Sequence, residues 1–357
     1  AFASMASLSI LIHAVFVDPI VWTLGRFLTG FSLIGVYIVV ESWLNDRATN
    51  RNRGGVLSIY MFITFTGLAV GTLLLNFSKP EQFEPFILTS LLFSIALVPI
   101  LLVKRSAPKF KKIGFMKIKQ LFKISPLGTF SMLCTGLIHS AIFGYGAVYA
   151  TTLNFTIFEI SLFLFLITIA GAIFQFPIGY FSDRQDRRII IIACTFASVI
   201  FSVLAIFTSG AAIENLHFVP LGSGVGMNKI FFLIFVTCYA GFALPMFTLN
   251  LAYVNDFINK ERFVAAGAGL QIIFGIGAMG GPFICSVFMD FFGANGFFVY
   301  LGIFHLLVGL FGLYRITKRE YEDNPDSTFT PLPRNITPLG IELDPTTAAD
   351  LSNTDKK

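Results

Sequence analysis

G-Y-F-S-D-R-Q-D-R-R, residues Gly179–Arg188, lies at the foot of one apolar run and the head of the next, and five of its ten residues are charged. Asp183, Arg184, Arg187 and Arg188 cost too much in hydrocarbon to sit at bilayer depth, so the stretch reads as a turn at a membrane surface. Its excess of arginine assigns that surface to the cytoplasm. Fixing this turn orients every other segment of the chain.

The composition agrees. Of 357 residues, 55% are hydrophobic and 13% charged, with 43 Phe, and the mean hydropathy is +0.78. A soluble domain carries about twice that charge. The apolar residues come in runs of about 20, enough to cross a bilayer core of roughly 30 Å as helices, where a β-barrel needs short alternating strands. The expected fold class is an all-α, multi-pass membrane protein. Cys134, Cys194, Cys238 and Cys285 are scattered singly within apolar runs and read as small hydrophobes. His13, His139, His217 and His305 share no ligand spacing, so no metal site is expected.

About ten spans fit the runs, from Ala1–Val17 to Gly296–Arg315, and the loops between them sort by charge. All but three of the 25 Lys and Arg fall in alternate loops and the tail; Lys79 and Lys229 lie opposite, and Arg26 lies within a span. A one-span misassignment would scramble this asymmetry. Residues 1–103 then form an N-terminal bundle of four spans, 104–126 a basic cytoplasmic linker, and 127–318 a six-span C-terminal bundle. Residues 319–357, rich in Pro, Thr and Asp, are expected to be a disordered cytoplasmic tail. The linker fits a solvated strap over anionic headgroups or a partner site. Residues 209–228 read as a loose external loop.

The chain repeats itself at a spacing near 210 residues. Gly30-Phe31-Ser32-Leu33 returns as Gly241-Phe242-Ala243-Leu244, Asn45-Asp46 as Asn255-Asp256, Arg53 as Arg262, and Gly67-x-x-x-Gly71 as Gly277-x-x-x-Gly281. Matches in the same order, at the same membrane depth, argue for duplicated halves of equal handedness. With six spans in the second half and four in the first, two are expected to precede Ala1.

On these residues the chain resembles the major facilitator superfamily. Gly179-x-x-x-Asp183-Arg184-x-x-Arg187-Arg188 resembles its signature between the eighth and ninth helices, departing at Asp186, where the pattern usually has Gly. Arg26-x-x-x-Gly30 resembles the fourth-helix signature, and Gly67-x-x-x-Gly71 and Gly277-x-x-x-Gly281-Pro282 the fifth-helix signature and its repeat. Glu41-Ser42-Trp43-Leu44 with Arg51-Asn52-Arg53-Gly54 is similar to the YcaD-like bacterial group. The resemblance implies two six-helix bundles rocking about a central cavity, with Gly30, Gly67, Gly71, Gly277, Gly281 and Pro282 packing helices.

Candidate sites follow. In this fold class the Asp183 turn is expected to dock near Arg53 and Gly54, and the cluster of Gly179, Asp183, Arg184, Arg187, Arg188, Arg53 and Gly54 reads either as a gating latch or as a topology anchor. Arg26 fits proton coupling or an anionic solute, or else snorkels to the outer surface. Glu41 is about 22 Å from it along a helix; it reads as a holder of Arg51 or another basic loop residue, or as a proton carrier. Tyr37, His139, Tyr145, Tyr149, Gln175, Asn250 and Gln271 are cavity candidates or interhelical hydrogen-bonders. Gly275-x-Gly277-x-x-Gly280 mimics a dinucleotide fingerprint but lacks a preceding strand, so helix packing accounts for it. No cofactor is expected. The function expected is a secondary active transporter of a small solute, driven by protons, monomeric, in lipid of the cell inner membrane with its C-terminus cytoplasmic. The alternative is a non-transporting receptor or scaffold on the same fold. No catalytic constellation points to an enzyme, and the basic charge follows topology rather than nucleic acid.

Overall fold

Several helices begin where the sequence supplies a cap. Asp18 accepts hydrogen bonds from the Ile20 and Val21 N–H groups at 2.9 and 3.0 Å, with Pro19 in the first turn, and so opens α2 (Pro19–Arg47). Thr156 and Glu159 form a reciprocal capping box at the head of α7 (Ile157–Ser182). Asp186 accepts from the Arg188 N–H at 2.9 Å and heads α8 (Arg187–Thr208). A second helix-forming role thus explains an acid where the family pattern has glycine. The computed structural model describes residues 1–49, 52–79, 82–102, 114–209, 225–318 and 327–347. Arg51, the basic residues from Lys104 to Lys112 and residues 210–224 of the external loop lie outside these, as do residues 319–326 and 348–357.

Each expected span has a helical counterpart among the described residues. The first half holds α1 (Phe2–Val15), α2, α3 (Arg53–Leu73) and α4 (Glu84–Leu102); after a short α5 (Ile118–Ile124) come α6 (Pro126–Thr152), α7, α8, α9 (Val225–Ala243), α10 (Met246–Asn255), α11 (Phe263–Phe292) and α12 (Gly296–Ile316). Among the described residues, seven stretches are long and apolar enough to cross a membrane; the last, Lys260–Ile316, contains both α11 and α12, and the apolar helices Phe2–Val15 and Glu84–Pro99 are shorter. The run expected as one span, Lys229–Val254, breaks into α9 and α10 at Leu244 and Pro245. Pro245 has no N–H for the helical ladder. At the far end of α6, Asn154 takes a left-handed φ of 56°, a conformation Asn tolerates after a helix end.

Helices α1, α2 and α4 pack together, with the Ser7 and Ser90 hydroxyls 2.7 Å apart between α1 and α4. The second half forms its own bundle around α6, which crosses α11 at close range. A Cβ on Gly136 would meet the Phe274 carbonyl, and one on Gly277 the Leu133 carbonyl, so backbone touches backbone there. Gly281 likewise sits against Leu137 and Ser140, and Pro282 lies beside Gly144. By contrast, a Cβ on Gly30, Gly67 or Gly71 meets nothing within 4 Å, so these expected packing glycines touch no described neighbour. Aromatic rings fill the C-terminal bundle: Tyr149 stacks on Phe297 at 4.6 Å, and Phe163, Phe232 and Phe298 surround them.

The halves meet where α3 packs on α7, and a third component lies between them. Residues 327–347, expected to be disordered, run through the interface, and α13 (Pro338–Ile341) packs on both α2 and α11. Leu332, Ile336, Ile341 and Leu343 are buried in one cluster with Leu57 and Met61 of α3 and Leu270 and Ile273 of α11. Their apolar side chains offset the ordering cost that a Pro-rich segment could not meet alone. The otherwise exposed end of the linker is anchored at two points: Met116 donates its N–H to the Ala265 carbonyl at 2.9 Å, and Leu121 is fully enclosed.

Candidate functional site: a cleft between the two bundles

At one end of the cleft stands the charged turn. Arg187 is 3% exposed and is gripped from several sides. Its Nη2 is 2.8 Å from Asp183, its Nη1 pairs with Asp256, and its Nε donates to the Ser182 hydroxyl at 3.1 Å. It also donates to the Ser327 hydroxyl at 2.9 Å and carbonyl at 2.6 Å. A buried guanidinium needs this many acceptors to offset its desolvation. Arg188 pairs with Asp186 at 2.6 Å, and Arg184 lies over the Tyr180 ring, 3.7 Å from its centroid.

Among the described residues, Asp183 makes no hydrogen bond or ion pair with Arg53 or Gly54, where it was expected to dock. Asp183 accepts the Phe329 N–H at 2.7 Å, whereas Arg53 donates to the Glu342 carbonyl at 3.2 Å and Gly54 lies beside Pro345. Residues of the tail occupy both partners. Gly179 too is covered by the Phe329 ring. Gly54, Phe176, Phe329 and Pro345 line one apolar cavity of about 420 Å³, which brings the start of α3 and the end of α7 to a common mouth.

Deeper in, Gln175 accepts the Leu332 N–H at 3.2 Å and the Thr248 hydroxyl at 3.5 Å. Gln271 donates its amide to the Arg334 carbonyl at 3.2 Å. The Arg334 guanidinium lies over the face of Phe143, 3.4 Å from the ring centroid. Burial pushes Arg334 down to about 10, partly offset by Tyr37, and it remains a cation at neutral pH. His139 is buried and donates from Nε2 to the Ala243 carbonyl at 3.2 Å, beside the break between α9 and α10, which leaves its Nδ1 without a hydrogen-bond partner among the described residues. His139, Phe143, Gln175 and Arg334 line a space of about 30 Å³.

Glu41 closes the arrangement. It is fully buried, and Oε1 accepts the Tyr60 hydroxyl at 2.7 Å. Oε2 accepts the Thr337 and Gly340 N–H groups, both at 3.0 Å, and the Thr337 hydroxyl. Glu41 was expected to hold Arg51, which lies outside the described residues, or another basic loop residue; among the described residues its four donors are neutral, and three of them belong to the tail. Tyr37 lies against Asn335 on the same side. Asn45 donates to the Leu339 carbonyl.

Three candidates stand elsewhere. Arg26 is exposed on α2 between exposed Leu24 and Phe27, with no hydrogen-bond or ion-pair partner among the described residues. That face favours snorkelling. Asn250 bonds Thr135 at 3.0 Å across α10 and α6, and Tyr145 packs in the aromatic core. Sequence reasoning missed Tyr60, Phe143, Thr248 and Arg334. Asp256 carried a signal, as the repeat mate of Asp46. Among the described residues no three His, Cys, Asp or Glu side chains gather as a metal site.

The family model described as Major Facilitator Superfamily matches residues 1–237. The chain is 23% identical over 280 residues to the uncharacterized MFS-type transporter YcaD of Escherichia fergusonii, covering 78% of this chain and 68% of that one. It is 23% identical over 288 residues to the uncharacterized MFS-type transporter YfkF of Bacillus subtilis, covering 79% and 69%.

Proposed function

Because the chain belongs to the Major Facilitator Superfamily, we propose that it carries a small solute across the bacterial inner membrane by alternating access, with a proton as the coupling ion. The family transports rather than catalyses, and the chain is a multi-pass membrane transporter. The route is the cleft between the bundles, monomeric in lipid, and the end bearing Arg187 and the C-terminal tail faces the cytoplasm. The basic loops support that orientation.

The observation that carries the reading is Glu41. A carboxylate buried between two bundles, held by neutral donors alone among the described residues, gains or loses a proton as those donors come and go. Rocking of one bundle against the other would exchange its partners. The Arg187 cluster is the latch of the closed mouth. In proteoliposomes holding the chain, pooled metabolites and lipophilic cations are screened for proton flux. Flux with one pool, lost in Glu41→Gln, is expected. Flux unaltered by Glu41→Gln would contradict the coupling role. A second reading, a receptor signalling through its tail, draws support from the seating of that tail in the cleft; absence of flux with every pool would favour it.

A further inference from the structure

Within residues 327–347, α13, the turns beside it and a 3-10 turn at Pro345–Thr347 satisfy part of the backbone, from the Ile336 N–H to the Thr347 N–H, and the remaining backbone groups must find partners elsewhere. They find them on side chains of both bundles. Asp183 and Gln175 take the N–H groups of Phe329 and Leu332, and Gln271 reaches the Arg334 carbonyl. Across the cleft, Glu41 takes the Thr337 and Gly340 N–H groups and Arg53 reaches the Glu342 carbonyl. This is how a protein reads a bound peptide: side chains of the site bond its main chain at intervals, with anchors in pockets. The anchors here are the Arg334 cation on Phe143, the Thr337 hydroxyl on Glu41, and the buried Leu332, Ile336 and Ile341.

The path of the segment matters as much. It enters at the mouth, where Ser327 meets Arg187, and reaches its greatest depth near Arg334. Phe143 lies 17 residues into α6, about 25 Å along that helix from Pro126. The segment then returns to the same mouth, where Pro345 lies against Gly54 and shares a cavity with Phe329. A loop that goes in and comes out at one mouth is not threaded through the fold, and it can leave as a unit.

We infer that the cleft is a peptide-binding site whose resident ligand is this chain's own segment 327–347, a removable plug that occupies the solute path. The inference takes from the proposed function only that the solute uses this cleft. The plug bonds the proton-coupling candidate Glu41 and the charged turn at once, so solute and plug exclude one another. Release of the plug frees Glu41, Gln175 and Gln271 together for a solute with matching donors and acceptors.

Gly340 supplies the test. A Cβ there would fall 2.6 Å from the Glu41 carboxyl carbon and against Ile336, so Gly340→Val expels the plug without touching either bundle's own packing. In micelles, hydrogen exchange of the Leu332, Thr337 and Gly340-position amides in the full chain is expected to be slow, and at least tenfold faster in Gly340→Val. A fluorescent synthetic peptide copying residues 327–347 is expected to bind Gly340→Val, at least tenfold more weakly when Glu41→Gln is added, and not to bind the native chain. Fast exchange in the native chain would overturn the inference. So would exchange unchanged by Gly340→Val, equal peptide binding to both proteins, or no binding to the variant. Because the readout is binding, its failure leaves the transport reading standing, and failure of the flux measurement leaves the plug standing.

Discussion

Arg187 shows how unevenly two similar contacts contribute. Its two carboxylate partners differ in environment: the Asp256 side chain is 2% exposed and that of Asp183 is 31% exposed. Without Asp256 the buried Arg187 is left with the partly solvated Asp183 as its carboxylate partner among the described residues, a loss of up to about 3 kcal/mol, whereas a partly solvated pair contributes on the order of 1 kcal/mol or less. Asp256→Ala is therefore expected to lower the melting temperature in micelles well beyond Asp183→Ala; equal losses would contradict the burial argument. Asp183 was legible in the sequence because charge inside a run of apolar residues stands out. Asp256 was half legible, through the repeat. Tyr60 and Phe143 were not, since one aromatic among 43 Phe and 10 Tyr carries no mark of facing a cleft.

Among the helices, α6 and α11 carry the closest contact, and the physical reason is the absence of side chains at Gly136 and Gly277. Without water to drive them together, helices in a membrane associate through such close packing. Gly277→Leu is expected to destabilise the C-terminal bundle by about 1–3 kcal/mol or more, while Gly67→Ala, facing open space, shifts stability by less than about 1 kcal/mol. Unfolding in graded denaturing detergent orders the two variants; a larger effect at Gly67 would refute the assignment. Most helices were legible because their length and loop charge are set by the bilayer. The break at Pro245 was readable in principle from the missing N–H. The order of residues 327–347 was not, because Leu332, Ile336, Ile341 and Leu343 follow no helix or strand period, and the side chains that hold the segment, Glu41 at Thr337 and Gln175 at Leu332 among them, lie far away in sequence.

Among the described residues, the two bundles touch where α3 and the turn that follows it pack on α7, and the segment 327–347 lies between α2 and α11. Packed interfaces of this kind switch between discrete arrangements rather than deforming smoothly. The repeat and the charged turn made the two-bundle plan legible; what fills the space between the bundles had to come from the structure. The most direct measurement is the distance between spin labels at Gly55, at the exposed start of α3, and Gln185, in the exposed turn after α7. In the native chain the two bundles are held by the plug, so a single short distance should dominate. In Gly340→Val a second population, longer by several ångströms, should appear as the mouth opens. One unchanged distance in both proteins would contradict a mobile cleft held closed by the tail.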